Sequence, residues 1–343
     1  MPAFRRVQEI AHEIGPTGRF SLRVTSFDVE LRPSADDTAR VRIEFDIRAT
    51  GEAEADATFD RARFRVDAGD GVLEVAEPRR EDGGIGSIVR LLGVGSRVDA
   101  RLVCDVPSAA RVAFAGVSTD LVVHGMVGAQ DYRTVSGDAV LGEVAGSLRI
   151  ATVSGDVSLR GADAIDLHAN TVSGDLSAFA PRFDGSRVTT VSGDVELEGE
   201  LADGGDHRFE TVSGDLSLGT VGGMRLEVRG LSTDVSISLP HRSEGSRDRR
   251  RYVIGDAGPQ VIFSSMSGDV TVRASRRYDA RRPAPPTPPM PPTTPTAPVA
   301  PAAANSAGSI SADEQLAVLR ALEAGEIDVE EASRRLAGEH TGG

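Results

Sequence analysis

The sequence is poor in aromatic and sulfur-containing side chains: its 343 residues include 11 phenylalanines, three tyrosines, one cysteine and no tryptophan. Because large aromatic side chains fill much of a thick globular core, their scarcity indicates a core of Val, Leu, Ile and Ala, which suits thin stacked layers. The lone Cys104 excludes an intrachain disulfide, and we predict that it is a small buried apolar residue in the strand-like run 101–106.

Long apolar segments are also missing. No stretch approaches about 18 continuous apolar residues, which argues against a membrane-spanning helix. The first six residues are not followed by the apolar segment that a secretory signal carries, so we expect a cytoplasmic protein that at most lies peripherally on a membrane. The net charge of −14 argues against non-specific nucleic-acid binding, so we expect no nucleic-acid partner.

Motifs of known catalytic chemistry are missing as well. The six histidines are dispersed without the spacing of metal ligands, and neither a Gly-x-Ser-x-Gly turn nor a phosphate-binding loop occurs. We therefore expect no catalytic residues, no metal site and no cofactor. A cryptic hydrolase that uses a Ser-Gly-Asp sequence is an alternative, although five identical copies of that sequence favour a structural role over a single active site.

The sequence does contain a conspicuous repeat. Five copies of Thr-Val-Ser-Gly-Asp recur every 18 to 21 residues, and weaker copies flank them at 117–120, 231–234 and 266–269. A fixed period in this range is typical of repeat proteins, in which each unit buries its apolar face by stacking on its neighbours. The five copies begin at Thr134, Thr152, Thr171, Thr190 and Thr211.

Apolar residues alternate on both sides of each pentapeptide. After each Asp they occupy the first and third positions, as in Val157 and Leu159, and a second alternating run precedes each copy, as in 148–150. This period of two predicts short strands with one buried face. We therefore predict an all-β fold, a parallel β-solenoid (β-helix-like) stack of about 19-residue repeats in which successive coils pair. The glycines at the expected turns between strands are Gly142, Gly161 and Gly199.

The composition divides the chain into four regions. Residues 1–115 are a strand-rich part with degenerate repeats, and residues 116–275 are the solenoid repeats. Residues 276–310 are a Pro-rich linker, because ten of the 19 residues from 283 to 301 are proline and favour an extended polyproline conformation. Residues 311–338 change to a helical period with two N-cap signals, which predicts a C-terminal α-helical hairpin. A hairpin of this size needs a partner or self-association to be stable.

The pentapeptide and its variants supply one carboxylate per coil. In register these carboxylates would stack about 4.8 Å apart, and each neighbouring pair would repel by roughly 1 kcal/mol in water. We interpret them as parts of a structural turn, in which backbone N–H groups and the hydroxyls of adjacent coils offset the repulsion. A calcium ladder is the alternative, but calcium-binding solenoids aim several oxygens at each ion and here each coil offers one carboxylate. The eight residues are Asp120, Asp138, Asp156, Asp175, Asp194, Asp215, Asp234 and Asp269.

The glycine of the pentapeptide is replaced in three places. Thr119 and Thr233 occupy its position in two weaker copies, and Phe27 does so in a degenerate copy at 25–29. Because β-branched residues rarely adopt a positive φ, we predict that this position is not left-handed in those coils. The glycine would then serve the close approach of one coil to the next.

One irregular segment is apolar. Residues 85–94 carry a stripe of Ile88, Leu91 and Leu92 next to Arg90. The segment either plugs an open end of the solenoid or contacts a membrane surface or a protein partner.

A second irregular segment is basic. Ten arginines lie between residues 242 and 282 of this acidic chain, among them Arg249, Arg250 and Arg251. The segment is either a solvated loop and linker entrance or a surface for anionic lipid or an acidic partner.

The repeated Thr-Val-Ser-Gly-Asp, followed by Val or Leu and a second apolar residue, resembles the bacterial "putative adhesin" repeat family, also called the toastrack type. The resemblance is strong over residues 117–272 and weaker over 20–275. The run Val-Cys-Asp-Val-Pro at 103–107 also resembles a strand ending in Val-Pro that is usual in this family. The tail 316–336 resembles the short bihelical (SHOCT-like) modules that accompany such repeats.

These resemblances imply a stack of β-strands and a non-enzymatic scaffold or binding protein without catalytic residues. They also imply a link to envelope-stress systems, a membrane-associated protein partner, and oligomerisation or tethering through residues 311–338. Our leading hypothesis is a cytoplasmic scaffold. The alternative is an exported cell-surface adhesin that binds glycan or protein.

Overall fold

The structure, a computed structural model, describes residues 2–78, 98–246 and 249–275. All of these residues belong to the first of the two units into which the chain divides, Met1–Pro283.

Three predicted features lie outside the described residues and stay predictions. They are the apolar stripe of Ile88, Leu91 and Leu92, the linker 276–310 and the helical hairpin 311–338.

The described part of the chain is mostly β-structure, with 22 strands in one continuous sheet and one short helix. The predicted β-rich stack is confirmed for these residues. The elements before the repeats are β1 (Ala3–Glu13), β2 (Arg19–Arg23), β3 (Asp28–Pro33), β4 (Thr38–Arg48), α1 (Glu52–Ala62), β5 (Arg65–Gly69), β6 (Val72–Ala76) and β7 (Val98–Val106). The later strands are β8 (Arg111–Ala115), β9 (Leu121–His124), β10 (Gln130–Ser136), β11 (Ala139–Ser154), β12 (Val157–Ser173), β13 (Leu176–Ser192), β14 (Val195–Leu201), β15 (His207–Ser213), β16 (Leu216–Thr220), β17 (Met224–Ser232), β18 (Val235–Ile237), β19 (His241–Ser246), β20 (Arg249–Ile254), β21 (Gln260–Ser267) and β22 (Val270–Ala274).

Each coil contributes one strand that enters its pentapeptide and one that leaves it, so the coils build two rows of parallel strands. Strands pair in register between neighbouring coils, with Thr134 beside Thr152 and Ser136 beside Ser154. The entering row runs β6, β2, β8, β10, β11, β12, β13, β15, β21, β17. The leaving row runs β7, β3, β9, β11, β12, β13, β14, β16, β22, β18.

The coils at both ends depart from sequence order. Strands β21 and β22, the last in the chain, lie between the coil of β15–β16 and the coil of β17–β18. At the other end β2 and β3 lie between β6–β7 and β8–β9. The prediction that successive coils pair therefore holds in the middle of the stack and is wrong at its ends. The end coils carry the weaker copies of the repeat, and the alternation within them predicts strands but not the order in which those strands pair.

Each of the two rows has two terminal strands, and in the described structure antiparallel strands pair with three of these four. Strands β4 and β1 continue the sheet beyond β7, and β5 pairs with β6. At the far end β20 pairs with β17, and β19 pairs with β20. Such covers protect the exposed edge of a sheet from pairing with another chain.

The core lies between the two rows and follows the alternation expected from the sequence. Val157 and Leu159, the first and third residues after an Asp, are both buried. The buried volume is mostly aliphatic, and the few large side chains are distributed along the stack. Those fully buried are Phe20, Phe45, Tyr132, Phe183, Phe209 and Phe263.

Helix α1 was not predicted, since the alternating patterns around it indicated strands alone. Its apolar face is narrow: Ala55 is fully buried, and Phe59 packs edge-on against Phe45 with ring centroids 5.3 Å apart. The chain that follows is anchored by Gln8, whose side chain donates to the Phe64 carbonyl at 3.0 Å and accepts from the Phe64 N–H at 2.9 Å.

The glycines expected at turns lie within strands instead. Gly142 and Gly161 border shifts in the pairing register of β11 and β12, and Gly199 lies inside β14. Beside Gly142, Glu143 has a φ of +55°. The chain thus changes direction through β-bulges, which bend a strand without ending it.

Candidate interaction surfaces

The eight repeat carboxylates lie in one row along the stack, here called the aspartate row. In each step the backbone N–H of one Asp donates to Oδ1 of the Asp in the adjacent coil, at 2.8–2.9 Å. The order along the row is Asp120, Asp138, Asp156, Asp175, Asp194, Asp215, Asp269 and Asp234.

These contacts give the carboxylates a structural partner in every step. Hydrogen bonds from N–H groups to an ionised carboxylate are stronger than neutral ones and offset the repulsion between neighbouring charges. Among the residues that the structure describes, no group of three or more His, Cys, Asp or Glu side chains is arranged to hold a metal ion. The backbone N–H groups therefore make contacts of the kind expected for a structural turn, whereas the hydroxyls of Thr152, Thr171 and Thr190, which were expected to contribute, make no such hydrogen bond among the described residues.

The pentapeptide glycine brings neighbouring coils into close approach. A Cβ on Gly174 would lie 2.3 Å from the carbonyl oxygen of Gly155, and one on Gly193 would lie 2.2 Å from that of Gly174. The predicted close approach is confirmed. The structure adds a second reason for glycine, because φ is positive at four of these positions. They are Gly137, Gly155, Gly174 and Gly193, with φ between +114° and +148°.

The coils that lack this glycine avoid the left-handed conformation. Among the described residues, positive φ outside glycine occurs at Glu143 and Ala257 alone, so Thr119, Thr233 and Phe27 do not adopt it. That prediction is confirmed.

In four of the five pentapeptides the threonine hydroxyl lies in the interior; Thr134 is the exception, because its Oγ1 donates to the Ser136 carbonyl at 3.1 Å. In Thr152, Thr171 and Thr190 the Oγ1 atom is buried and lacks a hydrogen-bond partner in the described structure. The same holds for Thr119 and Thr233, which belong to the copies without glycine. The first position of those copies is Gly116 or Gly230, so these copies exchange the threonine and glycine positions.

The valine of the five full pentapeptides points outward, whereas Val117, at the same position of a weaker copy, is partly buried. Each of the five outward valines is 45–47% exposed, although Val is a residue that folding normally buries. The side chains lie one above another because their neighbours pair in register. We call this apolar row the valine ridge; its members are Val135, Val153, Val172, Val191, Val212 and, at the same position, Met266. We did not single it out from the sequence, although the repetition of Val in five copies was a visible signal.

Four of the predicted basic residues, Arg242, Arg249, Arg250 and Arg251, lie on the antiparallel pair β19–β20, which we call the basic cap. Arg273 lies in β22 instead and pairs with Glu196 and Glu198, and the other five arginines of the predicted segment lie outside the described residues. Arg250 donates to the carbonyl of Thr233 in the last coil. Arg251 lies 3.5 Å from Glu227, a buried carboxylate that also pairs with Arg229. Arg242 of β19 is exposed, and the backbone of Arg249 begins β20. Arg250 thus closes the stack, and Arg242 and Arg251 face outward.

A polar groove of about 490 Å³ opens beside β12 and β13. Its lining includes His168, whose Nε2 lies 3.8 Å from Asp166 Oδ1, and Arg187, whose Nε donates to Asp206 at 2.7 Å. Gly185 forms part of its wall, where a Cβ would lie 2.6 Å from Asp166 Oδ1. No sequence pattern predicted this groove, because its residues come from three separate coils.

Two buried titratable groups belong to the core rather than to a site. Burial raises the pKa of the Cys104 thiol well above its usual range, which keeps it protonated and unreactive, as expected for a buried apolar residue. Burial lowers the pKa of His207 below its usual 6.5, against the opposing influence of the Ala202 carbonyl and the Asp206 charge. The His207 ring contacts Ala202 O at 3.1 Å and Ser186 Oγ at 3.3 Å.

None of the helices in the described part of the chain has the length and apolar character needed to cross a membrane.

Several solved structures are similar to this chain. A "putative lipid binding protein" from Parabacteroides distasonis ATCC 8503 is 13% identical with a TM-score of 0.43, and the match covers 78% of this chain and 97% of the other. A "putative adhesin" from Bacteroides fragilis NCTC 9343 is 10% identical with a TM-score of 0.36, over 78% and 97%. A "putative cell adhesion protein" from Clostridium sporogenes ATCC 15579 is 8% identical with a TM-score of 0.27, over 79% and 99%.

No curated protein matches the chain. Residues 18–273, which include the in-register coils, the aspartate row and the valine ridge, match the family described as Toastrack DUF4097. The chain belongs to the Toastrack family.

Proposed function

We propose that this chain is a non-enzymatic, adhesin-like β-repeat scaffold that binds a membrane-associated protein partner through the basic cap. The observation that carries the proposal is a charge contrast. The chain has a net charge of −14, yet one end of the stack is closed by a hairpin that presents Arg242 and Arg251 to solvent. An arginine-rich surface of this kind attracts an acidic partner by complementary potential.

The scaffold role is supported by the hydrogen bonds that the repeated side chains make between coils. A hydrolase needs a nucleophile within hydrogen-bond reach of a base that is free to take its proton. Each row carboxylate from Asp120 to Asp215 instead accepts a backbone N–H of the adjacent coil, and five pentapeptides present the same groups. Repetition of one geometry along the stack suits an extended binding surface better than a single reaction centre.

Site-specific photo-crosslinking in cells tests the proposal. A photo-reactive amino acid replaces Arg242 in the full chain, and the same residue replaces the exposed Arg208 of β15 as the matched control. We expect the cap position to capture one membrane-fraction protein that the control position does not capture. Adding Arg251→Glu should abolish that capture.

The proposal fails if both positions capture the same proteins, or if Arg251→Glu leaves the capture unchanged. Thermal melting of each variant shows whether it is folded, since Arg251 also contacts Glu227.

For the C-terminal tail we propose self-association through residues 311–338, with the linker 276–310 as a spacer. Light scattering of the full chain and of a chain without residues 311–343 measures this. The measured mass should correspond to more protomers per particle for the full chain than for the shortened chain. Equal numbers of protomers would contradict the proposal.

We further propose a cytoplasmic location at the membrane periphery and a link to envelope stress. Cell fractionation before and after an envelope-damaging treatment tests both. A chain found exclusively in the soluble fraction under both conditions would contradict them.

The second candidate is an exported cell-surface adhesin, supported by the polar groove. Carboxylates, an imidazole and a guanidinium around an open groove are groups that hydrogen-bond sugar hydroxyls. Similar structures carry names that include "adhesin". Protease treatment of intact cells, followed by glycan-array binding of wild type and Asp166→Asn, tests this candidate. Protection from the protease would argue against it.

A further inference from the structure

We infer that the valine ridge is the seam of a parallel, side-by-side dimer of this chain. The inference concerns a surface separate from the basic cap, so it stands or falls independently of the partner proposed above. It begins from the row of half-exposed side chains that runs from Val135 through Val212 to Met266.

The first argument is that folding accounts for the threonine, the glycine and the aspartate of the pentapeptide but leaves the valine unexplained. The threonine is buried in the three central copies, the glycine allows close approach, and the aspartate accepts a hydrogen bond from the adjacent coil. The valine remains close to half exposed in five consecutive coils. A continuous apolar row on an acidic surface is the kind of patch that marks an interface.

The second argument is the spacing of the row. Adjacent members lie about 4.8 Å apart, so the six members span about 24 Å. A helix repeats about every 5.4 Å along its axis, and an extended strand repeats about every 6.7 Å on one face. Either would lose register within a few coils. A second parallel stack has the same spacing and stays in register along the whole ridge.

The third argument is charge, which selects the orientation of the second copy. The aspartate row follows the valine ridge by three residues in every coil, so it runs along one side of the ridge. A two-fold axis parallel to the stack places the two aspartate rows on opposite sides of the seam. A two-fold axis perpendicular to the stack would bring the rows together, and their carboxylates would repel.

This geometry predicts which residues meet. With the two-fold axis along the stack, each ridge residue faces its own counterpart, as in an isologous interface. Identical valines then pack against each other and exclude water, as identical side chains do at the dry interfaces between stacked β-segments. Val172 lies near the centre of the ridge, so its contact with the second copy is the one best protected from solvent.

Disulfide trapping of the full chain tests the inference. The natural Cys104 is fully buried and does not compete with an introduced thiol. We expect Val172→Cys to form a disulfide-linked dimer under mild oxidation. Val140→Cys is the matched control, because Val140 is equally exposed at 45% but lies in the leaving row, away from the ridge. We expect it to form no disulfide-linked dimer under the same conditions.

A second variant and the salt response complete the test. Val172→Asn should weaken self-association about tenfold, because it removes apolar burial from both copies. Added salt should strengthen the dimer, because it screens the repulsion between two acidic chains. Val153→Cys repeats the trapping one coil away if Val172→Cys does not fold.

The inference is overturned if the ridge cysteines crosslink no more than Val140→Cys. It is also overturned if Val172→Asn has the same association constant as wild type in sedimentation. If the chain dimerised through residues 311–338 alone, the ridge cysteine and Val140→Cys would crosslink to the same extent.

Discussion

Gly230 leaves open the space that the hydroxyl of Thr233 fills: a Cβ on Gly230 would lie 2.2 Å from Thr233 Oγ1. A weaker form of this contact recurs in Gly116 and Thr119, where the added Cβ would lie 3.1 Å from the Thr119 Cβ and 2.9 Å from Cζ of Phe114. In both copies threonine and glycine have exchanged the positions they hold in the pentapeptide. The turn therefore has room for one threonine side chain, which can belong to either the first or the fourth residue of the repeat.

This exchange predicts a coupled pair of substitutions. Gly230→Thr should destabilise the fold by about 1–3 kcal/mol because the site is overpacked. Adding Thr233→Gly should recover most of that loss, because the double variant restores the pentapeptide order. Denaturant unfolding of the wild type, both single variants and the double variant measures the coupling. Strictly additive free energies of unfolding would contradict the shared space.

The pentapeptide glycine should tolerate no side chain in the middle of the stack. Gly174→Ala places a Cβ 2.3 Å from the Gly155 carbonyl oxygen in a residue whose φ is +125°. We expect a loss of about 3 kcal/mol from backbone strain and overpacking together. Gly222→Ala is the control, because a Cβ there meets nothing within 4 Å, and it should change stability by less than about 0.5 kcal/mol. Equal unfolding midpoints for the two variants would show that close approach is not the constraint.

His207 predicts a loss of stability in mild acid. Its pKa is lowered in the folded state by burial, so the unfolded chain binds a proton at a higher pH than the folded chain does. The contribution is therefore fully present above the unfolded value near 6.5 and is lost as the pH falls from there towards the folded pKa. The melting temperature of the wild type should fall more between pH 7.5 and 5.5 than that of His207→Gln. Parallel pH profiles would contradict the assignment.

The sequence contained most of the repeat geometry and little of its ends. The alternation around Val157 and the substitution of Thr119 for glycine predicted the buried face and a backbone that avoids positive φ. The insertion of the Asp269 coil between those of Asp215 and Asp234 could not be predicted, because the alternation in each coil predicts its strands and not their partners.

The candidate surfaces also differ in whether they could be predicted from the sequence. The valine ridge could have been found from the sequence, because one residue recurs at one position in successive coils. The polar groove could not, because Asp166, Arg187 and Asp206 are brought together by the stacking of separate coils. Helix α1 was missed because its apolar face consists of a few residues around Ala55 and Phe59, too few for a clear helical period.

The most direct test of the central claim, that the repeated aspartate holds coils together rather than binding a cation, compares Asp175→Asn with Asp175→Ala. Asp175 Oδ1 accepts the Asp194 N–H at 2.8 Å, and an asparagine oxygen can accept the same hydrogen bond without the charge. We expect Asn to keep or slightly raise the free energy of unfolding and Ala to lower it by about 1 kcal/mol. Added Ca²⁺ should leave the wild-type melting temperature unchanged. Equal destabilisation by Asn and Ala, together with a calcium-dependent rise in the wild-type melting temperature, would contradict the account.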